Sequence, residues 1–373
     1  MSRHLFAKWR RGVCQNEWTK ASMKLLYVIE HISTVGGLER ILIDKMNALA
    51  AEPEFEVVLM TIWHDDNRPA FPLDERVGQV CLGVEKPKSA IGWLATVRHV
   101  LHIYNNKVRA IAPDVVIHFR AMGAMLTAFS SWKGYTVFEA HTARQFSNHR
   151  WLYPLMERRA DVVVCLTNGD AQNYTKVRRV EVIPNFVRTT PIHSCRRVCK
   201  CLFVGRLCPE KDPLRLVRLW KQVVDKYSDW QLDICGEGEL SNEVKAEIER
   251  LSIKDNVQMY GQVSDVSKMY AQSAMLLLCS ITEGLPMVLI EAMRNGLPVV
   301  STDCPYGPAD VIKDGENGFL VPQEDDAAFV DAVSALIENE MLRKKMGVKA
   351  LETSVRFSKE VIIHRWKELF VKR

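Results

Sequence analysis

The 373-residue sequence has no apolar run approaching the roughly 20 residues of a membrane span, and no short apolar stretch of the kind that marks a secretory leader. The expected location is therefore cytoplasmic, or peripheral on the cytoplasmic (inner) face of a membrane. Its ten cysteines include no Cys-x2-Cys pair, and several fall inside apolar strand-like runs such as Val162-Val163-Val164-Cys165-Leu166. That is the distribution of buried thiols in a reducing compartment, so a disulfide framework is excluded. Cys195, Cys199, Cys201 and Cys208 are close together, but Cys199 and Cys201 alternate on a strand, and no metal site is expected. No basic stripe with interleaved aromatics occurs beyond residues 1–22, which argues against nucleic acid as a partner. The first strand-to-helix turn lacks Gly-x-Gly-x-x-Gly, which argues against a nicotinamide oxidoreductase or a nucleotide-sugar epimerase.

What is present is an ordinary soluble composition, 47% hydrophobic and 25% charged, over a length about twice that of a typical domain. Charge is uneven. Residues 1–190 carry 25 Lys and Arg against 18 Asp and Glu, and the remainder carries 25 against 27. A basic first half can attract an anionic lipid or a phosphorylated acceptor.

Residues 1–22 do not read as part of the fold. They hold Arg3, Lys8, Arg10, Arg11 and Lys20 against Glu17, with Leu5, Phe6, Trp9 and Trp18 interspersed. Two readings stay open: a short interfacial helix, or an extension upstream of a start at Met23. From Lys24-Leu25-Leu26-Tyr27-Val28-Ile29 onward, short apolar runs alternate with helical periodicity, which predicts βαβ units and parallel sheets. Strands are expected over 56–62, 114–119, 136–140, 161–166 and 180–183, with a basic helix over 91–108. The pattern restarts after Pro191–Arg197 with strands over 198–204, 230–235, 256–260, 274–279, 298–301 and 318–321. The expected division is an extension at 1–22, a first domain at 23–187 completed by a closing helix at 358–373, a linker at 188–198, and a second domain at 199–357.

The central stretch is Ser280-Ile281-Thr282-Glu283-Gly284-Leu285-Pro286-Met287-Val288-Leu289-Ile290-Glu291-Ala292. An apolar strand precedes it and Pro286 suits a first helical turn, so Glu283 is expected in the strand-to-helix loop and Glu291 inside the helix. Open parallel sheets bind ligands outside the carboxyl ends of their strands. Two acids at that mouth suit acceptance of hydrogen bonds from sugar hydroxyls; the plainer reading makes Glu283 a helix cap and Glu291 a solvated helix residue. The turn after the first strand carries Gly36-Gly37, whose lack of side chains lets a ligand approach the helix start. Arg206 and Lys211 lie in Gly205-Arg206-Leu207-Cys208-Pro209-Glu210-Lys211-Asp212, and a further glycine-rich turn is Cys235-Gly236-Glu237-Gly238. Glu139-Ala140-His141-Thr142-Ala143-Arg144 closes a strand at its carboxyl end.

These motifs together resemble the retaining GT-B glycosyltransferases of family 4 (glycosyl transferases group 1), in the form common among bacterial enzymes of surface polysaccharide. The resemblance covers nearly all of 23–373; it is strong in the second half and looser in the first. It implies an α/β fold of GT-B type, two Rossmann-like domains whose parallel sheets face across a cleft. It implies transfer of a hexose or N-acetylhexosamine from a nucleotide sugar, most simply a UDP-sugar, to a lipid-linked or saccharide acceptor, with no cofactor and no metal. Gly36, Gly37, Arg206 and Lys211 would then face the donor's diphosphate, Gly236 and Val263 the nucleoside, Glu291 the ribose, and Glu283 the transferred sugar. Leu285, Pro286, Met287 and Val288 would bring their backbone to the sugar and phosphates, His141 would lie beside the anomeric carbon, and Arg144 would contact the acceptor. Asp212 stands where the family has glycine. Asp310 takes the place of the family's acid before an apolar pair. The alternative within the same fold is a catalytically silent scaffold, which predicts loss of one of Arg206, Lys211, Glu283 or Glu291; all four are present.

Overall fold

The computed structural model describes residues 22–34, 36–64, 68–87, 90–188 and 199–373. The N-terminal extension up to residue 21 and the linker from residue 189 to 198 lie outside the described residues.

The first half forms strands β1 (Met23–Ile29), β2 (Phe55–Trp63), β3 (Gly78–Val84), β4 (Val115–Phe119), β5 (Tyr135–Glu139), β6 (Val162–Cys165) and β7 (Val180–Val182). Helices α1 (Gly37–Ala50), α2 (Ala90–Ile111), α3 (Arg120–Phe129), α4 (Tyr153–Arg159) and α5 (Asn168–Ala171) connect them. The second half forms β8 (Lys200–Val204), β9 (Gln231–Cys235), β10 (Val257–Gly261), β11 (Met275–Leu278), β12 (Val299–Asp303) and β13 (Gly318–Pro322). Its helices are α6 (Pro213–Val224), α7 (Ser241–Arg250), α8 (Ser267–Gln272), α9 (Met287–Arg294), α10 (Pro308–Val311), α11 (Asp326–Glu338), α12 (Glu340–Ser354) and α13 (Lys359–Val371).

Every strand pairing is parallel, as runs such as Leu25-Leu26-Tyr27-Val28 and Met275-Leu276-Leu277-Leu278, apolar on both faces, require. The strand orders are β3-β2-β1-β4-β5-β6-β7 and β10-β9-β8-β11-β12-β13. In each sheet the order reverses once, between β1 and β4 in the first and between β8 and β11 in the second. Those two reversals open the crevices in which doubly wound sheets hold ligands. The turns carrying Gly36-Gly37, Arg206-Lys211 and Glu283 leave the strands at these positions.

α13 belongs to the second half in sequence and to the first in packing. Ile362, Ile363, Trp366, Leu369 and Phe370 are buried among Leu25, Tyr27, Val57 and Ile117 of the first sheet, and Phe370 meets Phe55 edge-on at 5.8 Å. Ser358 caps the helix by accepting from the Val361 amide, which fixes its direction back across the molecule. Its Lys367 reaches Glu52 and Glu54, and its Arg365 donates to the Val182 carbonyl. Among the described residues no helix is long and apolar enough to cross a membrane.

Candidate active site

The rim of the first lobe is built from the turns after β1, β4 and β5. Gly36 precedes α1 in extended backbone, and a side chain there would collide with the carboxylate of Glu39. Glu39 is 3% exposed, and its Oε1 accepts from Arg120 Nη2 at 2.5 Å and from Thr34 Oγ1 at 3.3 Å. The glycine thus makes room for an internal acid at the helix start, which favours negative charge. Gly37 meets nothing within 4 Å and leaves the first turn open. Arg120 has φ +55 after β4, and the first turn of α3 is anchored by Met122 N donating to Glu30 Oε1 at 3.1 Å.

His141 follows β5, with its Nε2 2.9 Å from Oε1 of Glu139 and its side chain 10% exposed. It borders a cavity of about 460 Å³ together with Glu30, Arg120, Phe146, Asn148 and His149. Arg144, from which an acceptor contact is expected, is held by protein partners. Its guanidinium pairs with the buried Glu157 at 2.8 Å and lies over the rings of Tyr153 and Tyr174, while its amide donates to Asp170. A buried carboxylate needs a fixed cation, and Arg144 is the one that supplies it. Arg120 and His149, which were not singled out from the sequence, line the cavity instead.

In the second lobe the turns after β8 and β9 are packed backbone to backbone. Gly205 N donates to the Cys235 carbonyl at 3.0 Å, Leu207 N to the Glu237 carbonyl at 3.0 Å, and Gly236 N to the Gly261 carbonyl at 2.8 Å. Gly236 has φ +151, and a side chain there would strike the Gly205 carbonyl, so only glycine fits. Val263 is half-buried just beyond, against the apolar core under α9. Arg206 is exposed on this rim. Asp212 has φ +44, the left-handed conformation that explains a glycine in the family pattern, and it accepts from the Arg215 amide as the cap of α6. Aspartate tolerates that backbone and adds the cap, so the departure leaves the loop intact.

Lys211 and Glu283 meet directly: Nζ lies 2.5 Å from Oε1, which also accepts from Ser280 Oγ at 2.7 Å. Glu283 therefore sits in the β11–α9 turn and is bound sideways, not used as a helix cap. Leu285 and Pro286 are buried, and α9 starts at Met287 with Pro286 as its cap residue, so the first-turn residues Met287 and Val288 stand on the rim. Glu291, one turn further, accepts from Tyr270 Oη at 2.8 Å and is not a solvated helix residue. Burial pushes its carboxyl above the ordinary range, with the Tyr270 hydrogen bond and the charges of Arg40 and Arg188 acting the other way.

The two rims touch. A side chain at Gly284 would lie 3.2 Å from the His141 carbonyl, so the Glu283 turn packs against the His141 turn with nothing between them. Asp310 Oδ1 accepts from Asn168 N and Nδ2 at 2.9 and 2.7 Å, and Tyr306 accepts from Asn173 at 2.9 Å. Arg188 grips Asp44 of α1 through two nitrogens, at 2.5 and 2.6 Å. The structure thus brings the His141 turn against the turn of Glu283, which Lys211 grips, with Glu291 one turn into the helix that follows. All eight described cysteines are free thiols, and burial, with Glu283 adding to it, pushes that of Cys304 beside the site up to about 12.

Residues 199–353 match the family described as glycosyl transferases group 1, and residues 35–190 match glycosyltransferase family 4. The chain belongs to the family 4 glycosyltransferases. The amylovoran biosynthesis glycosyltransferase AmsD of Erwinia amylovora is 27% identical over 93% of this chain and 99% of its own length. An alpha-1,4-N-acetyl-D-galactosaminyltransferase of Campylobacter jejuni, whose name gives a diNAcBac-PP-undecaprenol-linked acceptor, is 26% identical over 93% of this chain and 98% of its own. The S. aureus protein TarM, solved with Fondaparinux, alpha-GlcNAc-glycerol and UDP, superposes with TM-score 0.76 at 15% identity, over 93% of this chain and 99% of its own. This glycosyltransferase accordingly has the GT-B fold expected of it, and it is an enzyme of the expected class.

Several of its site residues were not found by reading motifs. Lys45 had a signal: it sits three residues after Leu42 on the buried stripe of α1, where a lysine demands a partner. Tyr270 and Ser280, which hold Glu291 and Glu283, had none beyond proximity in sequence.

Proposed function

We propose that the enzyme transfers a hexose or N-acetylhexosamine from a UDP-sugar to a lipid-linked or saccharide acceptor during assembly of a cell-surface polysaccharide, with retention of the anomeric configuration and without a metal ion. It would work in the cytoplasm, at the inner face of the membrane when the acceptor is lipid-linked. The observation that supports the reading is the packing of the turn that carries Glu283, itself paired with Lys211, against the turn that carries His141.

Departure of a nucleoside diphosphate builds negative charge on the leaving oxygen, and charges already held in place stabilise it where it develops. Arg206 and Lys211 are the cations suited to that task. Lys211 and Glu283 are already paired, so a bound donor would lie alongside the pair or draw it apart, its phosphate toward the ammonium and its sugar hydroxyls toward the carboxylate. Glu291, one turn into α9, would take the ribose hydroxyls. Gly236 and Val263 give the nucleoside a backbone surface, and the start of α9 turns the Leu285–Val288 backbone to the sugar and phosphates. Retention follows when the acceptor attacks from the leaving-group side and the donor's own phosphate oxygen takes the acceptor proton. No side chain then has to act as a strong base. The relatives support the polysaccharide setting, and the Campylobacter enzyme supports a lipid-linked acceptor.

The test is UDP release from UDP-glucose, UDP-galactose, UDP-GlcNAc and UDP-GalNAc, with and without EDTA. Release from at least one donor, unaffected by EDTA, is expected. Turnover of GDP- or ADP-sugars only, or full dependence on manganese, would overturn the reading.

A further inference from the structure

Glu139 is 2% exposed at the carboxyl end of β5, a setting that by itself would drive a carboxylate to its neutral form. Two side chains share its Oε1. The Lys45 ammonium donates to it from α1, and the His141 Nε2 lies 2.9 Å away. Lys45 is 3% exposed, and its ammonium is 4.5 Å from the ring centroid of Trp366, 5.4 Å from that of Phe119 and 5.7 Å from that of Tyr27. Three aromatic faces around a desolvated ammonium hold it by cation–π attraction. Burial alone would raise the Glu139 carboxyl, but Lys45 and His141 outweigh it and hold the group below the ordinary carboxylate range.

Two polar atoms of this cluster are left unmatched. His141 Nε2 is close to the carboxylate without the alignment of a hydrogen bond, and Glu139 Oε2 has no hydrogen-bond partner. Each such buried atom carries a desolvation cost that no hydrogen bond offsets. A cluster serving packing alone would be better filled by apolar side chains of the same volume. Glu139 and His141 border the cavity, and Lys45 stands behind them. A small rotation of the imidazole would bring Nε2 into line with the carboxylate and match the ring nitrogen.

We propose that Lys45 and Glu139 are positioning residues for His141: the lysine holds the carboxylate in place from α1, and the carboxylate fixes the imidazole ring against the reacting centre. Trp366 extends the support to α13, so the helix that closes the chain onto the first lobe also completes the cage around Lys45. This rests on the proposed function and on the place beside the anomeric carbon that the family resemblance gives His141.

The test measures UDP release from a UDP-sugar by the wild type, His141→Ala, Glu139→Gln and the double variant Glu139→Gln/His141→Ala. Glu139→Gln should lower kcat by about tenfold to a hundredfold, the scale of a misplaced catalytic group. KM for the donor should stay within about threefold, since no donor contact is removed. The double variant should be no slower than His141→Ala alone, because Glu139 acts through the ring; a merely structural role would multiply the two losses. Lys45→Met/Glu139→Gln leaves no buried charge unpaired and carries the same expectation where Glu139→Gln alone fails to fold. Near-wild-type turnover in either folded variant, or losses that multiply with that of His141→Ala, would overturn the proposal alone. An active His141→Ala would remove the role of His141 and the proposal with it.

Discussion

Replacing Glu283 with glutamine separates the two halves of the donor site. Glu283 Oε1 receives Lys211 at 2.5 Å and Ser280 at 2.7 Å, and the two charged side chains are 7% and 21% exposed. Glutamine keeps the shape and one acceptor oxygen, so the Ser280 hydrogen bond survives while the ion pair does not. A pair this close to solvent is worth about 1 kcal/mol, and its loss frees the ammonium for phosphate. UDP affinity should therefore hold or tighten, by at most about fivefold. Turnover behaves differently. A charged hydrogen bond to the transferred sugar is worth about 1.5–3 kcal/mol, which predicts a fall in kcat of roughly tenfold to a hundredfold when it is lost. Calorimetric titration with UDP and UDP release from a UDP-sugar, run on the same preparation, read the two effects separately. Tenfold weaker UDP binding with unchanged kcat would refute the reasoning, because Glu283 would then serve the diphosphate and not the sugar.

Trp366→Ala should destabilise the protein by about 3–5 kcal/mol, since the ring is 1% exposed in the core shared by α13 and the first sheet; urea denaturation measures it. Asp212→Gly should leave the melting temperature nearly unchanged, relief of a left-handed residue offsetting the lost cap, whereas Asp212→Ala keeps the strain, loses the cap and should cost about 1–3 kcal/mol. Thermal unfolding of the two variants side by side decides this, and equal losses would contradict it.

The alternation of strands and helices was legible because buried parallel strands are written as unbroken apolar runs, and the turns at their carboxyl ends carried the motifs. β3 was missed for a physical reason: Gly78-Gln79-Val80-Cys81-Leu82-Gly83-Val84 is an edge strand, exposed over much of its length and interrupted by two glycines, with no apolar run to give it away. The acids of the second lobe were found where they were expected, because their spacing encodes one strand-to-helix turn. The supports around them were not. Lys45 and Glu139 are 94 residues apart, and Arg120 and Glu39 are 81 apart, so their pairing depends on which strands become neighbours. Arg144 shows how a side chain's partners also escape the sequence. Nothing beside the motif foretells that the fold sets a buried Glu157 against its guanidinium.

The most direct measurement is a calorimetric titration of UDP into the wild type and into Arg206→Ala/Lys211→Ala. Saturable binding by the wild type that weakens by about a hundredfold or more in the double variant is predicted, from two charge-assisted phosphate contacts. Equal affinity in both proteins would contradict the assignment of the crevice to a nucleoside diphosphate donor.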